Sequence, residues 1–389
     1  MYTGRTVFAQ LMDLIPRRAF ERCVARYPSQ RQLRTFTCYD QFLCLAFAQL
    51  TYRESLRDIE ICLRALQPKL YHAGLRGRVS RSTLADANET RDWRIYGDFA
   101  QTVIHRARGL YANEPFAVDL AETAYAFDAT TIDLCLALFP WAHFRRHKAA
   151  VKLHTLLDLR GPIPTFVAIT DGKAADVTLL DALCFEPGAF YILDRGYTDF
   201  GRLYGITEAL AYFVIRGKRG LAYVRRASRP VDKATGLRSD QTIVLCGPKT
   251  ATLYPVPLRR ITYVDPETQR RFVFLTNNFT LPPLQIAHLY KCRWQVELFF
   301  KWIKQHLRIK AFYGTSVNAV KTQVWTAITV YVLVAILQKE LRLEHSLYAL
   351  LQILSLTLFE RVPIHQALAR IAAQTNVKCS GNQLPLFDL

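Results

Sequence analysis

The sequence predicts an α/β protein in which a mixed sheet lies between helical N- and C-terminal regions. Residues 1–115 show the apolar spacing of helices, for example near 40–50 and 83–108. From about residue 121, short apolar runs alternate with turns and helical stretches, and beyond residue 277 the helical pattern returns. Strands and helices that alternate in this way are typical of a mixed α/β sheet.

The N-terminal region is predicted to be helical and to bind DNA. In the stretch SRSTLADANETRDW, Ser82 or Thr83 can cap a helix that exposes Asn88 and Arg91. A helix that enters a major groove would show this pattern. An ordinary surface helix would show it too, so both interpretations stay open.

The central region is predicted to contain a three-stranded meander followed by helix, strand, helix and strand. The predicted strands are Ala124–Asp128, Ala150–Leu159, Ile163–Thr170, Phe190–Asp194 and Tyr212–Arg216, and the predicted helices are Asp176–Leu183 and Phe200–Ala209. Next come β-like runs at Thr242–Cys246, Arg260–Val264 and Arg271–Thr276, separated by turn-rich segments.

These patterns predict a division of the chain into five parts. They are a helical N-terminal region (1–115), the first part of an α/β core (121–217), a β-strand insertion (218–276), the second part of the core (277–345), and C-terminal helices with a mobile tail (346–389).

The charge of the chain predicts a polyanionic partner. The 389 residues carry a formal net charge of +19 and a pI near 9.7, which favours a nucleic acid or an anionic membrane. The apolar run Val324–Leu337 is shorter than a membrane span and contains polar residues, so it predicts a buried helix. The N-terminus shows no signal-peptide pattern, so we expect a cytoplasmic protein without a membrane contact.

Nine scattered cysteines without a C-x-x-C pair predict reduced, mostly buried thiols. His143, His147 and His154 lie close in sequence, but neither cysteines nor carboxylates complete a zinc pattern around them. We therefore expect ordinary histidines at these positions.

Residues 290–304, YKCRWQVELFFKWIK, predict an amphipathic helix with one polar stripe. At about 100° per residue, Tyr290, Arg293, Glu297, Lys301 and Lys304 share one face. The stripe could be a solvated face on which Glu297 pairs with its cationic neighbours. It could also hold a polyanion beside a single functional carboxylate.

Two further acids follow apolar runs, Asp128 in AYAFDATTIDL and Asp194 in FYILDRGYTDF. Each could simply cap the next element. Because an unpaired buried carboxylate is costly, two acids at strand ends also suggest a shared divalent cation. Together with Glu297 they form a three-carboxylate set of the kind that Mg²⁺ accepts.

Strand Asp128, strand Asp194 and the helical pattern Tyr290, Arg293, Glu297 and Lys304 resemble the DDE transposases of the insertion-sequence-four family, which includes the Tn5-type enzymes. The resemblance covers about residues 121–345. It implies a ribonuclease H-like core and metal-dependent strand cleavage and transfer at the terminal inverted repeats of an insertion sequence. A related DNA nuclease and a DNA-binding protein derived from a transposase are the alternatives.

The resemblance also implies roles for individual residues. Asp128, Asp194 and Glu297 would bind two Mg²⁺ ions per active site, with Mn²⁺ as a substitute. Tyr290, Arg293 and Lys304 would hold phosphates of double-stranded DNA, both at the element ends and in the target. Synapsis of two ends implies a dimer.

A basic cluster, RGKRGLAYVRRASR, predicts further phosphate contacts because it contains six cations and no acid. The predicted phosphate-binding residues in it are Arg216, Lys218, Arg219, Arg225 and Arg226. Some relatives stack a flipped base on a Trp of the insertion, and residues 218–276 contain none. The aromatic residues of the insertion that could stack on a base are Tyr223, Tyr254, Tyr263, Phe272 and Phe274, so the excision pathway stays open.

The tail SGNQLPLFDL displays apolar residues after a polar stretch. Gln383, Leu384, Leu386 and Phe387 resemble the Q-L-x-L-F peptide by which bacterial proteins bind the replication sliding clamp. Packing of the apolar anchors Leu386 and Phe387 on the protein's own surface is the alternative.

Overall fold

The computed structural model shows helices on both sides of a single large sheet. It describes residues 4–28, 35–75, 77–114, 116, 118, 120–145, 148–306 and 312–369. The helices are α1 (Val7–Met12), α2 (Arg17–Arg26), α3 (Cys38–Leu50), α4 (Leu56–Ala65), α5 (Gln67–Leu70), α6 (Arg81–Thr90), α7 (Arg94–Tyr111), α8 (Phe200–Glu208), α9 (Pro248–Leu253), α10 (Pro283–Lys291), α11 (Trp294–His306), α12 (Val317–Glu340), α13 (Leu347–Thr357) and α14 (Ile364–Ala369).

The strands are β1 (Ala124–Leu134), β2 (His143–Arg145), β3 (Lys148–Asp158), β4 (Ile163–Asp171), β5 (Phe190–Leu193), β6 (Tyr212–Arg216), β7 (Tyr223–Arg229), β8 (Leu237–Leu245), β9 (Leu258–Val264) and β10 (Arg271–Thr276). They pair in the order β2-β3-β1-β5-β6-β10-β9-β8-β7, with β4 also on β3. Strands β1, β5 and β6 are parallel, whereas β3 runs antiparallel to β1. The predicted mixed sheet is confirmed.

The alternation of side chains along β1 and β5 separates two hydrophobic clusters. Ala126 and Ile192 belong to the larger cluster, which also contains Val296 of α11. Their neighbours Phe127 and Leu193 belong to the smaller cluster on the other face of the sheet. Because side chains alternate along a strand, the residues that follow Phe127 and Leu193 lie on the face that α11 covers.

Helix α12 forms the centre of the larger cluster. Ser316 caps its first turn, and the side chains from Val324 to Leu337 are buried along its whole circumference. The helix is long and apolar enough to cross a membrane, and 94% of its most apolar 18-residue stretch is buried inside the protein. A buried core helix meets the same criteria, and the sequence prediction of such a helix is confirmed.

The N-terminal helices share this cluster with the sheet. Helix α7 packs along α12, where Gly97 lies so close to the Trp325 ring that a Cβ would come within 3.3 Å of it. Residues of α3, α7, β3 and α12 all contribute to one continuous core. The domain boundaries drawn from the sequence stay predictions.

The expected exposure of Asn88 and Arg91 on α6 is wrong. Asn88 is 2% exposed and Arg91 is 6% exposed. Gln41 of α3 donates a hydrogen bond to Asn88 (2.8 Å), and Arg91 donates to Gln41 (3.1 Å) and to the Thr37 carbonyl (2.7 Å). These polar residues are buried because they satisfy one another. The helix cap is also corrected, since Ser80 accepts the bond from the Thr83 amide.

The β insertion continues the core sheet. Strand β10 pairs with β6, and β9, β8 and β7 follow antiparallel. A buried ion pair joins Arg259 of β9 to Asp240 of β8 at 2.8 Å, with the two side chains 3% and 2% exposed. Arg259 also donates to the Leu281 carbonyl at 2.6 Å, which fixes the segment leading into α10.

Several local predictions need correction. The second half of the basic cluster forms a strand, β7 (Tyr223–Arg229), which the sequence pattern did not reveal because the strand is exposed on both faces. The helix predicted at Asp176–Leu183 is a 3₁₀ helix at Asp176–Ala182. The thiols are not mostly buried: among the eight free cysteines in the described part of the chain, three are buried and three are exposed.

Candidate active site

Asp128 and Asp194 lie side by side at one edge of the sheet. The parallel pairing of β1 with β5 reaches the pair Phe127–Leu193, so the next residue of each strand is one of the two acids. Strand β1 does not end at Asp128, as the sequence suggested, but continues to Leu134 against β3. The sequence signal at Asp128 therefore marks the point where β1 loses its neighbour β5.

The segment that carries Glu297 is two helices, not one. Helix α10 ends at Lys291 and α11 begins at Trp294. Between them, the amides of Arg293 and Val296 donate to carbonyls three residues back, at 3.1 Å each, in place of the α-helical pattern. The prediction of one continuous helix is therefore wrong at this point.

Two residues at the turn connect all three acids. The Tyr290 hydroxyl donates to Asp194 Oδ1 at 3.2 Å. Arg293 Nη1 donates to Asp128 Oδ2 at 2.9 Å, and its Nη2 donates to Glu297 Oε1 at 2.5 Å. The structure therefore brings the predicted acids, Tyr290 and Arg293 into one cluster.

The two lysines of the stripe differ in their surroundings. Lys304 donates to the Thr131 carbonyl of β1 at 2.6 Å, so its ammonium group is held next to the strand that carries Asp128. Lys301 is exposed on α11. The solvated-face interpretation of the stripe thus fits Lys301. The pairing of Glu297 with Arg293 that it included is present, but the Arg293 side chain is only 15% exposed and also contacts Asp128.

Burial makes the cluster electrostatically costly. It raises the pKa of Asp128 from 3.8 to about 6, and the negative charges of Asp194 and Glu297 add to this rise while Arg293 opposes it. Burial also raises the pKa of Tyr290 to about 12, which keeps its hydroxyl protonated as a donor to Asp194. A concentration of perturbed groups in one place is typical of functional sites.

Tyr197 is a neighbour of the site that the sequence analysis missed. It is 3% exposed, its ring packs edge-on against Phe127 at 5.2 Å, and its hydroxyl has no hydrogen-bond partner. Burial and the charges of Asp128 and Asp194 raise its pKa. The sequence feature that could have indicated Tyr197 is its position three residues after Asp194.

The donor chemistry fits a hard divalent cation. Carboxylate oxygens from two strands and one helix meet here, and such ligands suit Mg²⁺. Among the described residues, however, no three His, Cys, Asp or Glu side chains are grouped so that they could hold a metal ion. Arg293 instead donates hydrogen bonds to one oxygen of Asp128 and to one oxygen of Glu297.

A cationic cavity of about 410 Å³ has Arg195, the residue after Asp194, in its lining. The basic residues that line it are Arg195, Arg216, Lys218, Arg219, Arg260 and Arg271, and none of the described lining residues is acidic. Three of the predicted phosphate-binding residues are thus brought together. The other three basic residues of the lining, Arg195, Arg260 and Arg271, lie far apart in the sequence, so no cluster of charged residues could predict that they meet.

Arg225 and Arg226, also predicted to bind phosphate, are exposed on β7 and do not line this cavity.

A smaller cavity of about 200 Å³ lies against α10 and α11. Its aromatic lining consists of Tyr263, Phe272, Phe274, Tyr290 and Trp294, with Arg293 at the same wall. Trp294 is 57% exposed, and Phe274 contacts Tyr290 with ring centroids 4.8 Å apart. Of the other aromatics of the insertion, Tyr223 lines the cationic cavity and Tyr254 is fully buried.

The sheet order and the acids at its edge define an α/β protein with a ribonuclease H-like core, in which β4, β3, β1, β5 and β6 form the central strands. The model of the transposase DDE domain family matches residues 119–333, and the chain belongs to this family, as a DDE transposase of the insertion-sequence-four type. A domain of unknown function (DUF4372) matches residues 3–76.

Relatives with similar sequences carry transposase names. A Sinorhizobium fredii protein named transposase y4zB is 36% identical over 60% of this chain and 66% of its own length. A Geobacillus stearothermophilus protein named as a transposase for the insertion sequence element IS5377 is 31% identical over 53% of this chain and 54% of its own length. The chain thus spans less than two thirds of these two relatives.

A cryo-EM structure of a piggyBac transposase synaptic complex with hairpin DNA matches 97% of this chain and 84% of its own chain, with 11% identity and a TM-score of 0.44. At this TM-score the match supports no argument about function.

Proposed function

We propose that the chain cleaves and joins DNA at the terminal inverted repeats of an insertion sequence, by metal-dependent phosphoryl transfer. The observation that carries this proposal is the set of contacts at the turn between α10 and α11. Through Tyr290 and Arg293 it connects Asp128, Asp194 and Glu297, which come from three elements far apart in sequence.

In this proposal, Asp128, Asp194 and Glu297 hold two Mg²⁺ ions, and Mn²⁺ can replace them. Bound metal would activate a water or a 3′-hydroxyl and stabilise the leaving oxygen of the displacement. Tyr290 orients Asp194 through its hydrogen bond, and packing against Phe274 holds the Tyr290 ring in place.

Double-stranded DNA, at the element ends and in the target, is the proposed substrate. The cationic cavity would hold backbone phosphates through Arg216, Lys218 and Arg219, with Lys304 and Arg293 closer to the acids. Arg225 and Arg226 would contact phosphates further along the duplex. Two ends must be joined in one complex, so we propose a dimer during the reaction.

The proposed setting is the cytoplasm of a bacterium, on its DNA. A sliding-clamp contact through Gln383, Leu384, Leu386 and Phe387 is part of the proposal and rests on the sequence alone, because these residues lie outside the described part of the chain.

The test uses charge-removing variants of the three acids. Asp128→Asn, Asp194→Asn and Glu297→Gln should each abolish Mg²⁺-dependent cleavage of the element's own ends, while binding to the same DNA persists. The matched control is Asp133→Asn, since Asp133 lies on the same strand as Asp128 but is exposed. A variant of any of the three acids that cuts at the wild-type rate would show that its residue is not a ligand.

A further inference from the structure

Arg293 lies between two of the three acids of the site, Asp128 and Glu297. Its guanidinium bonds to Asp128 at 2.9 Å and to Glu297 at 2.5 Å, so it bridges a sheet edge and a helix. The three side chains are 15%, 21% and 35% exposed. A cation between two partly buried carboxylates offsets the repulsion that would otherwise separate them.

The bridge and a metal ion compete for the same two carboxylates. Asp128 already accepts hydrogen bonds at both oxygens, from Arg293 and from the Ala129 amide, and Glu297 accepts one from Arg293. A divalent cation shared by these acids would also place its charge within a few ångströms of the guanidinium, and like charges repel. Movement of Arg293 away from at least one of its acids would therefore favour metal binding.

The surroundings of Arg293 contain a second place where its guanidinium could lie. Its Nε is buried and has no hydrogen-bond partner among the described residues, so these residues do not satisfy the whole guanidinium. Its side chain also borders the aromatic cavity of about 200 Å³. The guanidinium already lies 5.9 Å from the centre of the Tyr290 ring, and an arginine stacks well on an aromatic face.

We propose that Arg293 is an internal counterion that closes the metal-free site, and that a DNA phosphate draws it off the carboxylates so that divalent cations can bind. Arginine binds phosphate through two parallel hydrogen bonds. DNA held by the neighbouring cationic cavity would bring such a phosphate to it. The inference rests on the proposed function and adds that DNA binding and metal binding assist each other.

Coupling of this kind is reciprocal and can be measured without catalysis. Mn²⁺ binding to the full-length protein is titrated by electron paramagnetic resonance of the free ion, with and without a duplex of the element end. For the wild type, we expect the duplex to tighten Mn²⁺ binding by roughly tenfold or more. Arg293→Gln should bind Mn²⁺ tightly without DNA, and the duplex should then have little further effect.

Two variants serve as controls. Lys301→Gln also removes a positive charge from the polar stripe, but the Lys301 side chain is exposed on α11 and has no role in the proposed site. It should leave the DNA-free Mn²⁺ affinity near the wild-type value. Arg293→Lys keeps the charge, and a single ammonium group bridges the two acids poorly. We expect it to bind Mn²⁺ without DNA more tightly than the wild type, so the test does not depend on one substitution.

The outcomes separate the two proposals. Equal DNA-free Mn²⁺ affinity of the wild type and both Arg293 variants would overturn the counterion role, while DNA cleavage by the wild type would leave the proposed function standing. Absence of Mn²⁺ binding to every protein, with and without DNA, would overturn both. Tight DNA-free binding confined to the Arg293 variants would support the inference.

Discussion

Replacing Asp128 by asparagine should stabilise the metal-free protein at neutral pH. Burial and the nearby negative charges of Asp194 and Glu297 raise the pKa of this carboxyl from 3.8 to about 6. A raised pKa means that the charged form of Asp128 is less stable in the folded protein than in the unfolded chain. Asparagine keeps the shape of the side chain and removes the charge, so the cost disappears.

The sign and the size of this stability change follow from the linkage between proton binding and folding. Between the two pKa values the folded state binds more protons than the unfolded state, so stability falls as the pH rises through this window. The cost is absent below about pH 4 and complete above about pH 6. The rise in pKa of about two units corresponds to at most about 3 kcal/mol, because each unit is worth about 1.4 kcal/mol.

The measurement is urea unfolding of the wild type and Asp128→Asn with a chelator present, at several values of pH. The variant should be more stable by up to about 3 kcal/mol near pH 7, and the difference should vanish near pH 4. Asp92→Asn is the control of opposite sign, since Arg94 lowers the pKa of that carboxyl. A destabilised Asp128→Asn protein near pH 7 would refute the reasoning.

Three further predictions concern DNA, the insertion and the tail. Lys304→Ala and Arg293→Ala should each weaken the cleavage complex and reduce the slope of its salt dependence by about one, and an unchanged slope would contradict a phosphate contact. Asp240→Asn leaves a buried arginine without its partner and should cost about 3–5 kcal/mol of unfolding free energy, whereas a change below about 1 kcal/mol would show that the pair is dispensable. A peptide of residues 380–389 should bind the host clamp with a dissociation constant in roughly the micromolar range. Replacing both apolar anchors, Leu386 and Phe387, with alanine should abolish this binding. Absence of binding by the parent peptide would exclude the contact.

The sequence predicts the sheet well, and it predicts that Asp128 and Asp194 lie next to one another, because both features depend on local patterns. Apolar runs of strand length end at Asp128 and Asp194, and parallel pairing places such residues at one edge. The motif from Tyr290 to Lys304 also depends on spacing, but the break between α10 and α11 interrupts the helix that this spacing predicts.

Other features depend on partners far along the chain. Arg91 is buried because Gln41 and the Thr37 carbonyl receive its hydrogen bonds, and nothing near residue 91 indicates this. The break before α11 similarly lies where Tyr290 and Arg293 reach acids of two distant strands. Helical periodicity contains no information about such contacts.

The packing of α7 on α12 bears on what happens when the gene is shortened. Helix α12 presents an apolar surface to the N-terminal helices on one side and to the sheet on the other, with Gly97 fitted against Trp325. A chain without its first 115 residues would expose that surface to water and would be expected to aggregate. Truncated copies of the gene would then yield insoluble protein, so the sheet that carries Asp128 and Asp194 could not be produced in soluble form without the N-terminal helices.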